Sequence, residues 1–451
     1  MSKSIQSGVV SGILATMNDE SQHTIKNFNE LASTPARASL LAIAEAGYGA
    51  IKTSRVVRDA CALSGDELTI LGRKYHLNEF RHVYVLGVGK CAVDSAVEIE
   101  SLLGERITEG LVIDVSSNDT LQVIQSRVAT HPYPSTENVE HTKELMAIAQ
   151  KATEHDLVIM IVSGGGSTML CMPETHTVSE EVALVEHLFK EGATIHELNT
   201  IRKHISKARG GHIAEQVYPA TLVSLLFSDV PGDDIKTIAS GPTVHDETTL
   251  DDALALFSKY RAENSGFSSK HFFETPKDAI FFSKVYNALI LKNTTALDAM
   301  KACAQELGYK AEIKETKLQG EARVVGRELV HAIRNEKPRT VHLYGGETTV
   351  TISGPGKGGR NQELSLSAIP IIHEDELVLS LASDGRDNTE LAGGIADTYT
   401  KKMAEEKDLN PEAYLYTNDS YSFFHTLQQG IQTGYTGANV ADLVIAMKHE
   451  R

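Results

Sequence analysis

The sequence predicts an α/β protein of two domains, the first built on an open, mostly parallel sheet. Three observations point there. Short continuous apolar runs alternate with stretches of helical spacing: "HVYVLGVGK", "GLVIDVSS", "DLVIMIVSGGG" and "TLVSLLFSDV". Runs of about four to eight such residues, rich in Val, Ile and Leu, suit strands covered on both faces, which are parallel strands joined by helices. Each run ends in glycine or small residues, so the loops collect at the carboxyl ends of the strands, where open α/β sheets bind ligands. Finally, 451 residues exceed one core at a prior of roughly 150 residues per domain.

Taken in order, the first ~35 residues read as a leader or an extra helix, and apolar residues at helical spacing from Arg37 to Ala62 predict one or two helices. The strand and helix alternation then runs to Thr248. A polar, partly helical connection follows, and "VYNALILKN", "TVHLYGGETTVTIS" and "LVLSLASDGRDN" resume the strand rhythm. The predicted domains are therefore 1–280 and 281–451, two α/β bodies facing each other across a cleft that holds the active site.

Bulk composition narrows the function. A net charge of −17 leaves no basic stripe for a nucleic acid. No apolar run approaches the roughly 20 residues that span a bilayer. Cys61, Cys91, Cys171 and Cys303 form no CxxC pair, which suits a cytoplasmic protein better than a disulfide framework or a zinc site. The expected partners are small molecules, with a homodimer left open.

Five glycine-bearing loops carry the chemistry. "GVGKCA" contains Gly87, Gly89 and Lys90; it fits G-x-G-x-x-A, and Asp114 closes the next strand, so a dinucleotide fingerprint and a direct phosphate contact by Lys90 both stand. "SGGGST", with Ser163, Gly164, Gly165, Gly166 and Ser167, can turn successive N–H groups toward one oxyanion. It lacks the lysine of a Walker A loop. "SDVPGDD" offers Asp229 and Asp233 as hard oxygen ligands for Mg²⁺. "GGETTVTISGPGKGGRNQE" brings Gly345, Gly346, Glu347, Lys357, Gly358, Gly359, Arg360, Asn361 and Glu363, and "SDGRDN" brings Asp384 and Asp387. Asn199, Arg202 and Lys203 share a probable helix from which the cations can reach an anion. A hydride-transfer enzyme needs one such loop. Phosphoryl transfer calls for several, because its transition state spreads charge over three oxygens that backbone N–H, Lys, Arg and metal must meet.

Six collinear motifs, "HPYPSTEN", "VSGGGSTML", "HELNTIRKHIS", "FSDVPGDDIKTIASGPT", "GGETTVTISGPGKGGRNQE" and "SDGRDN", resemble the class II glycerate kinases, whose C-terminal part is the MOFRL domain. The resemblance implies a Rossmann-like N-terminal domain and a smaller C-terminal domain with a mixed sheet. It further implies ATP- and Mg²⁺-dependent phosphorylation of D-glycerate to 2-phosphoglycerate, with Lys90 and Arg360 as catalytic cations; beside that implication, the acidic loop itself leads us to expect Asp229 as a further catalytic residue that, with Asp233, meets the metal. Asp384 or Asp387 would orient the attacking hydroxyl, and Arg360→Ala is expected to lower kcat by roughly 10³ to 10⁵ while leaving the fold intact. Two departures, "DGRDNTELAGG" and His212 in "KARGGHIA", bear on acceptor choice. A related short sugar acid, or hydroxypyruvate reduction with NAD(P), is the alternative.

Overall fold

The structure is a computed structural model that describes residues 23–450 apart from Pro231. The predicted leader falls mostly outside the described residues. The chain divides into two compact units, one of Thr53–Leu291 and one that joins the described residues up to Lys52 to Lys292–Arg451.

In the first unit the helix Thr53–Ala60 leads into an antiparallel meander, β1 (Cys61–Ser64), β2 (Glu67–Ile70) and β3 (Arg73–His76). A six-stranded sheet follows: β4 (Val83–Val88), β5 (Glu109–Asp114), β6 (Ile124–Val128), β7 (Leu157–Val162), β8 (Thr221–Phe227) and β9 (Val285–Leu291). All its pairings are parallel, in the order β6-β5-β4-β7-β8-β9. From β4 the chain winds outward through β5 and β6, then returns to the far side of β4 and winds the other way. The switch point therefore lies between β4 and β7, and a crevice opens beyond their carboxyl ends. Both strands are buried along their whole length, with Leu86, Val88, Met160 and Val162 in a core shared with the helices Thr136–Ala149 and His212–Val217.

The second unit holds β10 (Lys310–Leu318), β11 (Thr340–Gly346), β12 (Glu376–Ala382), β13 (Gly393–Ala396), β14 (Gly430–Ile431) and β15 (Asp442–Lys448) in the order β10-β11-β15-β12-β13-β14. β10 and β11 run parallel and the other pairs antiparallel, which makes the expected mixed sheet. The helix Pro35–Ile51 packs against the helix Asn293–Glu306 in this unit. Thr34 caps it and Pro35 opens it, at the position where a missing N–H costs nothing. Arg37, fully buried, ties it in through a bidentate contact to Asp397 (2.6 and 2.7 Å) and a bond to Gln429 Oε1 at 2.5 Å.

Two boundaries therefore differ from the sequence expectation. The strand assigned to the second domain, Val285–Leu291, pairs with β8 and completes the first sheet, so the crossing falls after Leu291 and not at 280/281. The described N-terminal segment belongs with the C-terminal unit, because its apolar helix faces find their partners there.

Candidate active site

The switch point of the parallel sheet positions the first group. Gly89 (φ +115°) follows β4, and a Cβ there would stand 2.3 Å from Ser163 Oγ and 2.5 Å from Ser163 O, so the two strand-end loops touch through a residue that only glycine suits. Lys90 N donates to Gly164 O (2.9 Å) and Cys91 N to Ser163 Oγ (3.1 Å). Asp229 packs against Gly164, where a Cβ would lie 2.2 Å from Asp229 Oδ2. Burial pushes the Asp229 carboxyl above its ordinary range, with Lys90 opposing. Ser167 stands 2.9 Å from Ser240 Oγ, which is also 2.9 Å from Asn199 Oδ1. Lys90, Ser163–Ser167, Asn199 and Asp229 are thus brought together as the sequence predicts.

The cations of the Ile195–Lys203 helix separate in role. Lys203 is buried against Asp246 (3.1 Å), so its charge is already neutralised and it is not available to substrate. Arg202 is 7% exposed and has neither a hydrogen bond nor an ion pair among the described residues. Burial and repulsion by Arg209 pull its guanidinium down to about 10. Lys90 likewise carries no side-chain partner among the described residues. Gly87 lies inside β4, where Val112 Cγ1 occupies the space of a Cβ (2.8 Å), and serves packing.

Asp114, which a dinucleotide fingerprint would aim at ribose, is 2% exposed and accepts from Val93 N (3.0 Å) and Val115 N (2.6 Å). It caps the helix Ala92–Leu103, and burial pushes its carboxyl up to about 6. Asp233, at φ +58°, has a buried Oδ1 with no partner. No group of three or more metal-ligating side chains gathers among the described residues.

In the other unit the ends of β11, β12 and β15 surround a polar cavity of about 140 Å³ whose walls include Glu347, Arg360, Asp384, Asn388, Asn439 and Asp442. Arg360 opens the helix Arg360–Ala368 and reaches Asp442 through Nε (2.5 Å) and Nη2 (3.0 Å), and Glu347 through Nη2 (3.2 Å). Burial disfavours its charge, but Asp442 and Glu347 hold the guanidinium above its ordinary range. Arg360 also lines a groove of about 360 Å³ with Val350, Ile352 and Gly358.

The glycines beside Arg360 serve the protein itself. A Cβ on Gly359 would lie 2.2 Å from Asp387 Cγ. That carboxylate accepts from Asn361 N (3.2 Å) and Gln362 N (2.8 Å), so it satisfies the helix N-terminus in place of an outside anion. Burial pushes Asp387 up to about 6, and its engagement leaves Asp384 as the acid open to the cavity. Gly345 and Gly346 make room for Asn293 and Leu318, Glu363 binds Arg323 and Asn418, and Lys357 pairs with Glu390 over the Tyr421 ring. Of the two sequence departures, Asn388 lines the cavity, whereas His212 is buried and bonded to Glu215. Sequence reasoning missed Ser240, His131 and Asp442. The first two sit in quoted motifs, but nothing in the sequence marks the acid that opens β15.

Known proteins resemble this chain in sequence and in fold. Residues 39–270 match a family model described as a domain of unknown function, DUF4147, and residues 340–442 match the MOFRL family. The chain is 37% identical to a protein of Pyrococcus horikoshii named glycerate 2-kinase, over 87% of this chain and 93% of that one. It is also 37% identical to the D-glycerate 2-kinase of Thermotoga maritima, over 81% and 90%. A relative from Agrobacterium vitis named putative hydroxypyruvate reductase is 33% identical over 80% and 85%. The crystal structure of glycerate kinase from Thermotoga maritima matches with a TM-score of 0.80 at 33% identity, covering 91% of this chain and 98% of that one.

Proposed function

The chain belongs to the class II glycerate kinase family, and on that premise we propose that it transfers the γ-phosphoryl group of ATP to D-glycerate, giving 2-phosphoglycerate and ADP. The observation that carries the reading is a pair of cations, Lys90 and Arg202, that make no side-chain hydrogen bond or ion pair among the described residues and both act on His131 beside the "SGGGST" loop at the switch point of a parallel sheet. Two cations with side chains left unpaired, beside a glycine loop, form a site for an anion.

In the reaction the acceptor oxygen bonds to the γ-phosphorus, and the bond to the bridging oxygen breaks with its electron pair leaving on ADP. The hydroxyl proton is released to water. Lys90 supplies positive charge for an anionic group at the switch point beside the Ser163–Ser167 loop, and Arg360 supplies it at the cavity of the mixed sheet. The transition state is largely dissociative, so preorganised charge does most of the work and a strong base is not required. ATP's nucleoside is assigned to the groove beside Arg360. The donor set fits Mg²⁺, which commonly takes one or two carboxylates and completes its shell with phosphate oxygens and water. Asp233, with a buried oxygen lacking a partner, and Asp229 would hold it. The ion would supply charge neutralisation on the nucleotide phosphates.

Hydroxypyruvate reduction is disfavoured because the acid it would use for ribose, Asp114, is buried as a helix cap. We assign the enzyme to the cytoplasm on its free cysteines. Its oligomeric state is to be read from the mass in solution. The deciding experiment is ADP release with ATP, Mg²⁺ and D-glycerate, with the product identified by phosphorus NMR. Acceptor-dependent ADP and a 2-phospho product are expected. ADP formation indifferent to glycerate and to other short sugar acids would overturn the reading.

A further inference from the structure

The loop 130–135 is held far more firmly than a surface turn requires. Asn138, fully buried, accepts from Thr130 N (2.9 Å) and Ser135 Oγ (3.0 Å) and donates to Thr130 O (3.0 Å) and Thr168 O (3.2 Å). Thr168 Oγ1 donates to Pro132 O (3.2 Å). These bonds tie the loop to the "SGGGST" segment and fix the exposed His131 beside it. A Cβ built on Gly165 would stand 3.3 Å from both His131 Cδ2 and Lys90 Cγ, so the imidazole and the lysine flank the same glycine. Arg202 is the other charge that acts on the ring. Neither ring nitrogen has a hydrogen-bond partner among the described residues.

A histidine has no packing reason to stand exposed between two cations, and its ring nitrogens are unused by the protein. We propose that His131 contacts the acceptor: its imidazole accepts a hydrogen bond from the attacking hydroxyl, while the acceptor's carboxylate pairs with Arg202. Partial desolvation of the ring, with Lys90 and Arg202 beside it, lowers its pKa from the ordinary value, so at neutral pH it is uncharged and one nitrogen keeps its lone pair. The hydroxyl proton leaves to water once the oxygen has bonded to phosphorus, and the imidazole orients the nucleophile without having to become a cation. Such an arrangement selects a short hydroxy acid whose hydroxyl and carboxylate lie close together. This assignment rests on the kinase reading.

The test compares two ligands in the full-length protein. One is D-glycerate as substrate. The other, as a competitive inhibitor, is the analogue lacking the hydroxyl that phosphorus NMR shows to be phosphorylated: 3-hydroxypropionate for a 2-phospho product, lactate for a 3-phospho product. His131→Ala is expected to lower kcat/KM for glycerate about tenfold or more, the loss of one hydrogen bond in the transition state, and to leave the analogue's inhibition constant unchanged. His131→Gln, which restores an acceptor atom, should recover part of the rate at an unchanged melting temperature. Arg202→Gln should weaken both ligands, since both keep the carboxylate. Unchanged kcat/KM in His131→Ala, or parallel losses for substrate and analogue, would overturn the assignment while leaving the kinase reading intact. Wild-type protein without glycerate-dependent ADP release would overturn both.

Discussion

Arg360→Ala should damage this protein twice, for separable reasons. Its guanidinium makes a bidentate contact with Asp442, which is 3% exposed at the start of β15. Deleting one partner of a buried pair costs about 3–5 kcal/mol, because the stranded charge keeps its desolvation penalty. The Arg360 side chain is 36% exposed, so water can replace part of it, and the lower figure of about 2–3 kcal/mol applies. At roughly 2–4 °C per kcal/mol for a unit of this size, the transition of the unit carrying Arg360 should fall by about 5–10 °C. Activity should fall by roughly 10³ to 10⁵ if the cation meets the transferring phosphoryl. Adding Asp442→Asn removes the stranded charge, so the double variant should regain most of the melting temperature and none of the rate. The assays are calorimetry and coupled ADP release. A single variant that melts like wild type, or a double variant that works like it, would refute the reasoning.

Three further outcomes follow from the same geometry. Gly359→Ala meets no backbone obstacle at φ −134°, yet its methyl would collide with Asp387 Cγ, so a loss of about 1–3 kcal/mol is expected in urea unfolding. Asp114 is held near 6 in the folded state against about 3.9 unfolded, so the folded protein binds its proton more tightly. That stability is fully present below about pH 4 and is lost as pH rises through 6, by at most about 3 kcal/mol. Asp114→Asn should flatten that slope in urea midpoints measured from pH 4.5 to 7. Lys203→Met strands Asp246, which keeps hydroxyl donors from Thr248 and Thr275, and should cost about 2–3 kcal/mol with little effect on kcat. Arg202→Met removes a buried cation that makes no ion pair, and Glu181, the acid that acts on it, keeps Arg209, so the melting temperature should hold while acceptor binding falls.

The parallel sheet was legible because strands buried on both faces leave continuous apolar runs, and β4 and β7 are such runs. Sheet membership was not. "VYNALIL" reads as a strand on its own, but which sheet it joins depends on pairing with β8, more than fifty residues earlier. The meander of β1 to β3 went unread because its strands are four residues each, too short for a period to show. At the site, glycine and cation content located the loops correctly, while the division of labour within them depended on partners distant in sequence. Lys203 and Arg202 are adjacent on one helix, and only the pairing with Asp246 separates a structural lysine from an arginine left without an ion pair among the described residues. Likewise Arg360 was visible as a cation, but the expectation that its removal leaves the fold intact failed to anticipate Asp442, 82 residues on.

The return of the helix Pro35–Ile51 to the C-terminal unit sets an order of events on the ribosome. Thr53–Leu291 can fold as soon as it emerges, since all six strands of its sheet lie within it. The helix that precedes it cannot. Arg37 must wait for Asp397 and Gln429, and the apolar face for the helix Asn293–Glu306. At about 5–20 residues per second, translation from Leu291 to Gln429 takes roughly 7 to 28 s. During that interval a sticky, mostly apolar segment trails from a finished domain, so nascent chains stalled within this window are the species most in need of a chaperone.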